Sequence, residues 1–181
     1  MLKNTNCNNK VGIIDGNLST KNHNITFSES TNFSSKIRTH GDEIISFIFN
    51  CQRNVEVYYF DATNDNGEID TNKILNGLNW MLENRVDLVN ISLSNTVKHK
   101  ELENWILQHS EIKIFASYNN KLHSYDYPAM YNGVFASGSD SRIKYKDNDF
   151  RYNSNRIILL TNGFHIYNGN SYLSVLSMLK N

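Results

Sequence analysis

Val11-Gly-Ile-Ile-Asp15-Gly16 decides how the rest of the chain is read. A short, almost wholly apolar run that ends in a carboxylate and a glycine reads as a strand covered on both faces, delivering an acidic side chain to a turn. Such a strand needs parallel neighbours, and further β-branched runs supply them: Val55 to Phe60, Leu88 to Ser92, Ile112 to Ala116, Val134 to Ala136 and Ile157 to Leu160. Helical patterns lie between. From Ile69 to Asn84, the residues Ile74, Leu78, Met81 and Leu82 recur at spacings of three and four, one apolar stripe with polar residues opposite. Asp70 or Thr71 is suited to cap its start. Gly41 to Asn50, the stripe Leu102, Trp105 and Ile106, and Ser171 to Leu179 complete the helices. The alternation predicts an α/β fold, a three-layer arrangement of a mostly parallel sheet flanked by helices. Ser19 to Ser35 is polar enough to be a long surface loop.

Composition narrows the function classes. A chain of 181 residues, 39% hydrophobic, can bury one core, so residues 11–181 are expected to form one domain behind a polar tail at 1–10. Equal counts of 18 basic and 18 acidic residues give no electrostatic drive toward nucleic acid or an anionic membrane. The longest apolar runs, such as Ile44-Ile-Ser-Phe-Ile-Phe49, are too short to span a bilayer. The first ten residues lack the apolar stretch of a signal peptide, and Cys7 and Cys51 make no disulfide framework. A cytoplasmic, reduced protein is the expectation.

Three polar groups fall where strands give way to helices. Asp15 ends the first strand, His40 opens a helix at Thr39-His40-Gly41, and Ser171 starts the last helix after Tyr167-Asn-Gly-Asn. A carboxylate, an imidazole and a hydroxyl are what a nucleophilic serine requires: a base to take its proton and an acid to fix the tautomer of that base. Sites in open parallel sheets gather beyond the carboxyl ends of the strands. The helix dipole and open backbone N–H groups near Ser171 favour a developing oxyanion. Each piece by itself is also ordinary turn vocabulary.

Taken together, the pieces resemble the subtilisin-like serine peptidases from about Lys10 to the C-terminus. Val11 to Asp15 resembles the strand ending in the triad Asp, His40-Gly41 the start of the His-bearing helix, and Tyr167-Asn-Gly-Asn-Ser171 the nucleophile turn. Ile74 to Trp80 with Val86 to Ser94 resembles the helix and following strand that pair with substrate backbone. Ile114-Phe-Ala-Ser-Tyr-Asn119 resembles the oxyanion segment, and Tyr127-Pro128-Ala129 with Gly133 to Gly138 the next loop and strand. The resemblance implies a serine endopeptidase with Asp15, His40 and Ser171 as triad and Asn119 in the oxyanion hole. Ser92, Leu93, Ser94 and Tyr118 would bind substrate, a peptide or protein, with neither metal nor cofactor.

The departures are specific. His40-Gly41 is followed by Asp42-Glu43, two carboxylates whose charge should raise the pKa of His40. Val175 stands for the usual helix Pro, and Tyr118 for the Gly beside the oxyanion Asn, where it should fill or cover the pocket. Residues 139–167 read as abbreviated, and the expectation is a domain without the loop that holds calcium in many relatives and without a prodomain before the first strand. Two functions stay open: an endopeptidase dedicated to one peptide, such as a leader, or a weak or inactive module that binds a peptide strand beside Ser92 to Ser94. A phosphate- or dinucleotide-binding domain is disfavoured because Asp15-Gly-Asn-Leu lacks a Gly-rich phosphate loop.

Other residues draw plainer expectations. His23, His99, His109, His123 and His165 lack metal-ligand spacing. Asp61, Asp65, Glu68 and Asp70 read as a solvated turn, and Trp80 and Trp105 as core.

Overall fold

β1 (Lys10–Asp15) is buried from Val11 to its last residue because it runs between two parallel neighbours. On one side lies β3 (Glu56–Asp61), with Asp15 opposite Asp61; on the other lies β4 (Leu88–Ile91), with Ile14 opposite Ile91. The computed structural model of the chain describes residues 10–19, 21, 24–120, 125–138, 144–146, 150–153, 156–159 and 165–181. The polar tail up to residue 9, with Cys7, and His23 and His123 lie outside the described residues.

β2 (Ile25–Phe27), β5 (Lys113–Ser117) and β6 (Val134–Ser137) complete a six-stranded sheet in the order β2-β3-β1-β4-β5-β6, every described pairing parallel. The connections leaving β1 and β4 run to opposite sides of the sheet. That reversal makes the carboxyl ends of these two strands the place where a crevice opens.

Helices cover both faces, giving the expected three layers. On one face α1 (His40–Cys51) and α4 (Asn170–Leu179) pack through Ile44, Phe47, Ile48, Tyr172, Val175 and Met178. On the other, α2 (Thr71–Glu83) and α3 (Lys100–Gln108) pack through Ile74, Leu78, Met81, Leu102 and Ile106. Asp70 caps α2, its carboxylate accepting the N–H of Asn72 at 2.9 Å. Phe47, fully buried, meets Tyr167 and Tyr172 edge-on, at 4.7 and 5.3 Å between centroids. Truncating such a ring to Ala costs about 3–5 kcal/mol, so this contact is a main support of the α1–α4 pairing. Val175 sits inside an unbroken α4.

Three expectations are corrected. The polar stretch Ser19 to Ser35 contains β2, held by β3 through Ile25 opposite Val57. Three residues are too few to show a period, so the polar setting hid them. The run at Ile157 forms β9 (Arg156–Leu159), which belongs to a separate antiparallel sheet with β7 (Lys144–Lys146), β8 (Phe150–Asn153) and β10 (His165–Asn168), in the order β10-β9-β8-β7. Two residues between β8 and β9 leave no room for a crossover, so only antiparallel pairing is possible. Asp61 is fully buried rather than solvated, accepting from the backbone and hydroxyl of Thr63 at 2.9 and 2.6 Å and from the Asn32 N–H at 3.3 Å. Trp80 and Trp105 are partly buried and pack on the α2–α3 face. Among the described residues, no helix is long and apolar enough to cross a membrane.

Candidate active site

Asp15 is almost wholly buried, and three hydrogen bonds meet its carboxylate. The Gly16 N–H donates to Oδ1 at 2.7 Å, while His40 Nδ1 lies 3.0 Å from Oδ1 and 2.8 Å from Oδ2. An N–H on Nδ1 leaves Nε2 as the basic nitrogen. His40 reaches this point because Thr39 ends the preceding loop in a capping box: its Oγ1 accepts the Asp42 N–H at 3.3 Å, and Asp42 Oδ2 accepts the Thr39 N–H at 2.7 Å. Asp42 also takes the Ser19 N–H at 3.2 Å. It is therefore a cap and loop anchor; of the two carboxylates after His40-Gly41, Glu43 is the one that acts on the imidazole.

The electrostatics follow from these contacts. Desolvation pulls the His40 pKa down, but the hydrogen bond to Asp15, the Asp15 charge and the Glu43 charge outweigh it, and the net shift is upward from 6.5. Desolvation likewise works against ionised Asp42, yet bonds from Thr39 and Ser19 hold its pKa low. Tyr59 closes the floor, its hydroxyl donating to Gly16 O at 2.6 Å; burial first, then the charges of Asp15, Asp61 and Asp42, hold this phenol protonated.

Ser171 lies in the first turn of α4 and is partly buried. The turn before it contains Gly169 at φ +129°, a conformation that L side chains rarely adopt. Asn170 then locks the turn to the end of β5: its N–H donates to Asn120 Oδ1 at 2.8 Å, and its Nδ2 to Tyr118 O at 3.0 Å and Asn119 O at 3.3 Å. The N-cap residue, Gly169, has no side chain to cap α4, and Asn120 Oδ1 takes the first helical N–H instead. Between the described residues His40 and Ser171 there is no hydrogen bond.

Asn119 donates from Nδ2 to Ser94 Oγ at 3.3 Å and from its backbone N–H to Asp126 Oδ2 at 3.2 Å. The segment after β5 thus touches the far end of the Ser92-Leu93-Ser94 segment. Ser92 is buried, its N–H on Ile14 O at 3.1 Å and its Oγ accepting from Asn90 Nδ2 at 2.6 Å, while Leu93 and Ser94 are half-buried. Beside them is a largely apolar cleft lined by Ile74, Leu93, Ser94, Leu102, Tyr127 and Tyr131. The ring of Tyr118 lies against Gly138 and is 38% exposed.

The fold itself has known counterparts. Solved structures that resemble it include the psychrophilic subtilisin-like protease Apa1 from the Antarctic psychrotroph Pseudoalteromonas sp. AS-11 (TM-score 0.61, 18% identity, 75% of this chain and 37% of that one), the prenylagaramide maturation protease PagA (0.67, 15%, 93% and 72%) and a lanthipeptide protease (0.58, 18%, 72% and 48%). The fold is subtilisin-like. In sequence, 85 residues are 33% identical to the minor extracellular protease Epr of Bacillus subtilis (strain 168), 45% of this chain but 13% of that protein. The chain is thus related to the subtilisin-like proteases while spanning a small part of that curated relative. No protein-family model matches it.

Four residues at this site escaped the reading of the sequence. Asn120 and Asn170 join the segment after β5 to the turn before Ser171, and Asp126, buried with Oδ1 lacking a hydrogen-bond partner among the described residues, holds the Asn119 backbone. Tyr172 reaches across to Glu43. Asn170 was legible as the residue before Ser171; the others carry no local signal.

Proposed function

We propose that this protein is a serine endopeptidase that hydrolyses peptide bonds through Asp15, His40 and Ser171. The observation that carries the reading is the bidentate approach of His40 Nδ1 to the buried Asp15 carboxylate, at 2.8 and 3.0 Å. A buried carboxylate on Nδ1 keeps the imidazole in the tautomer whose Nε2 can accept a proton, and stabilises the imidazolium that results. In the proposed step, Nε2 takes the Ser171 proton as Oγ adds to the scissile carbonyl. Asn119 Nδ2 and the Ser171 backbone N–H then receive the oxyanion, and the imidazolium returns its proton to the leaving amine. Water hydrolyses the acyl-enzyme by the reverse sequence. Asn119 Nδ2 carries two N–H donors, one of them on Ser94 Oγ at 3.3 Å, and donates to the substrate oxygen with the other or by releasing that long contact.

An extended peptide would lie along Leu93 and Ser94, above the shallow apolar cleft between Ile74, Leu102 and Tyr131, which must widen to admit a side chain. PagA, by its name a maturation protease, and the lanthipeptide protease favour a dedicated processing role on one peptide. A fluorophosphonate probe tests the reading without knowledge of the substrate. Intact mass should rise by one adduct on the chain and not on Ser171→Ala. The second reading, a peptide-binding module of the same fold, is favoured by the missing His40–Ser171 hydrogen bond, and absence of any Ser171 adduct would select it.

A further inference from the structure

Glu43 and Tyr172 stand 129 positions apart in sequence, yet the Tyr172 hydroxyl donates to Glu43 Oε2 at 2.7 Å. The two residues hold significant addresses. Glu43 is one helical turn beyond His40 on α1 and shares its face; Tyr172 directly follows Ser171 on α4. We propose that Glu43 and Tyr172 form a positioning pair that ties the first turn of α1 to the first turn of α4 and so sets the approach of the imidazole to the Ser171 hydroxyl. This rests on the peptidase reading above.

The surroundings explain why a tie is needed there. Around it the packing is largely apolar, Phe47 against Tyr172 and Tyr167, and one other directional bond, Asn50 Nδ2 donating to the Tyr167 hydroxyl at 2.7 Å, joins α1 to the strand before α4 rather than to α4 itself. Dispersion and burial resist separation but are non-directional, and so do not by themselves fix a sliding or rotational setting. A short O–H···O⁻ bond is directional and about twice as strong as a neutral one. Tyr172 is nearly buried, its ring held between Phe47 and Tyr167, so the hydroxyl has one place to point. Burial and the Glu43 carboxylate keep that phenol protonated and donating. Arg38 Nε approaches the other oxygen, Oε1, at 3.5 Å from an exposed position, a contact of small worth.

The charged groups facing His40 are Asp15 from β1 and Glu43 from its own helix; those facing Tyr172 are Glu43 and Arg38, with the titratable phenol of Tyr167 beside them. Glu43 therefore has two separable effects, as acceptor for Tyr172 and as an anion near the imidazole.

The test is the rate at which a fluorophosphonate modifies Ser171 in the full chain, followed over pH. Tyr172→Phe and Glu43→Ala should each lower the plateau rate about tenfold, since an ångström of misplacement can cost up to about a hundredfold. The double variant should be no slower than either. Glu43→Gln keeps an oxygen for the phenol and should restore most of the plateau rate lost in Glu43→Ala, while its acid limb moves to lower pH. A merely structural contact would not give that split. Near-UV circular dichroism of Tyr172→Phe, which loses one oxygen, checks that packing survives. An unchanged plateau in Tyr172→Phe, or additive losses in the double variant, overturns the tie while leaving the peptidase reading intact. No adduct at Ser171 in the unaltered chain overturns the peptidase reading, and the tie with it.

Discussion

His40 Nδ1 touches both oxygens of the Asp15 carboxylate, at 3.0 and 2.8 Å, with the imidazole 45% exposed and the carboxylate 1%. The pair is asymmetric by construction. β1 drives the acid into the protein, while the Thr39 cap starts α1 just where the base can meet both that acid and solvent.

One consequence is a pH signature with two opposite signs. The folded His40 pKa lies above 6.5, and catalysis needs neutral imidazole, so the rate of Ser171 acylation should rise with pH through that raised value. Stability runs the other way. The pair's contribution is fully present below 6.5, the unfolded value, and is lost as pH climbs through the folded value. Asp15→Asn should move the acid limb of the rate down and lower the plateau by up to about 10⁴. A wild-type acid limb at or below 6.5 would contradict this account of the pair.

Removing the proposed oxyanion donor should act on turnover alone. Asn119→Ala is expected to lower kcat by roughly 10²–10³, a size known for such a donor in a subtilisin rather than derived from this chain. Steady-state kinetics on any cleaved peptide decides it; unchanged kcat removes Asn119 from the mechanism.

Gly41 is required by contact rather than by backbone angle. A Cβ there would run into the Tyr59 hydroxyl and the Leu18 side chain, both fully buried. Gly41→Ala should therefore cost about 1–3 kcal/mol in a urea titration. It should also disturb the Tyr59–Gly16 bond beneath Asp15, so labelling of Ser171 should fall with it. Wild-type stability in that variant would show that the floor of the site can yield.

Tyr118 bears on specificity. Its half-exposed ring rests on Gly138 beside the oxyanion segment. Replacement by Gly should shift cleavage toward large apolar residues before the scissile bond, by about 1–3 kcal/mol of discrimination. Peptide-library profiles of the two proteins that coincide would mean the ring does not shape the pocket.

Much of the scaffold was readable because long periods and buried strands leave local signals. The runs at Val11, Val55, Leu88, Ile112 and Val134 form parallel strands, and the stripe at Ile74, Leu78 and Met81 faces a core. What stayed hidden lacks such signals. β2 is three residues in a polar stretch, and β8 and β9 pair through a connection too short for the parallel crossover that the apolar run at Ile157 suggests. At the site, Asp15 and His40 could be found from their settings. The roles of Asn120, Asp126 and Tyr172 could not, because each is defined by a partner rather than by its neighbours in sequence. Thr39-His-Gly-Asp42 was legible as a capping box, but beside a histidine its carboxylate was read for charge instead.

The central claim, that Ser171 is a nucleophile activated by His40 and Asp15, is tested most directly by mapping the fluorophosphonate adduct to a residue and timing its formation. The account predicts a single adduct on Ser171, none after Ser171→Ala, and rates in His40→Ala and Asp15→Asn lowered by about 10³-fold or more. An adduct on another residue, or labelling of Ser171 at the same rate without His40, would contradict it.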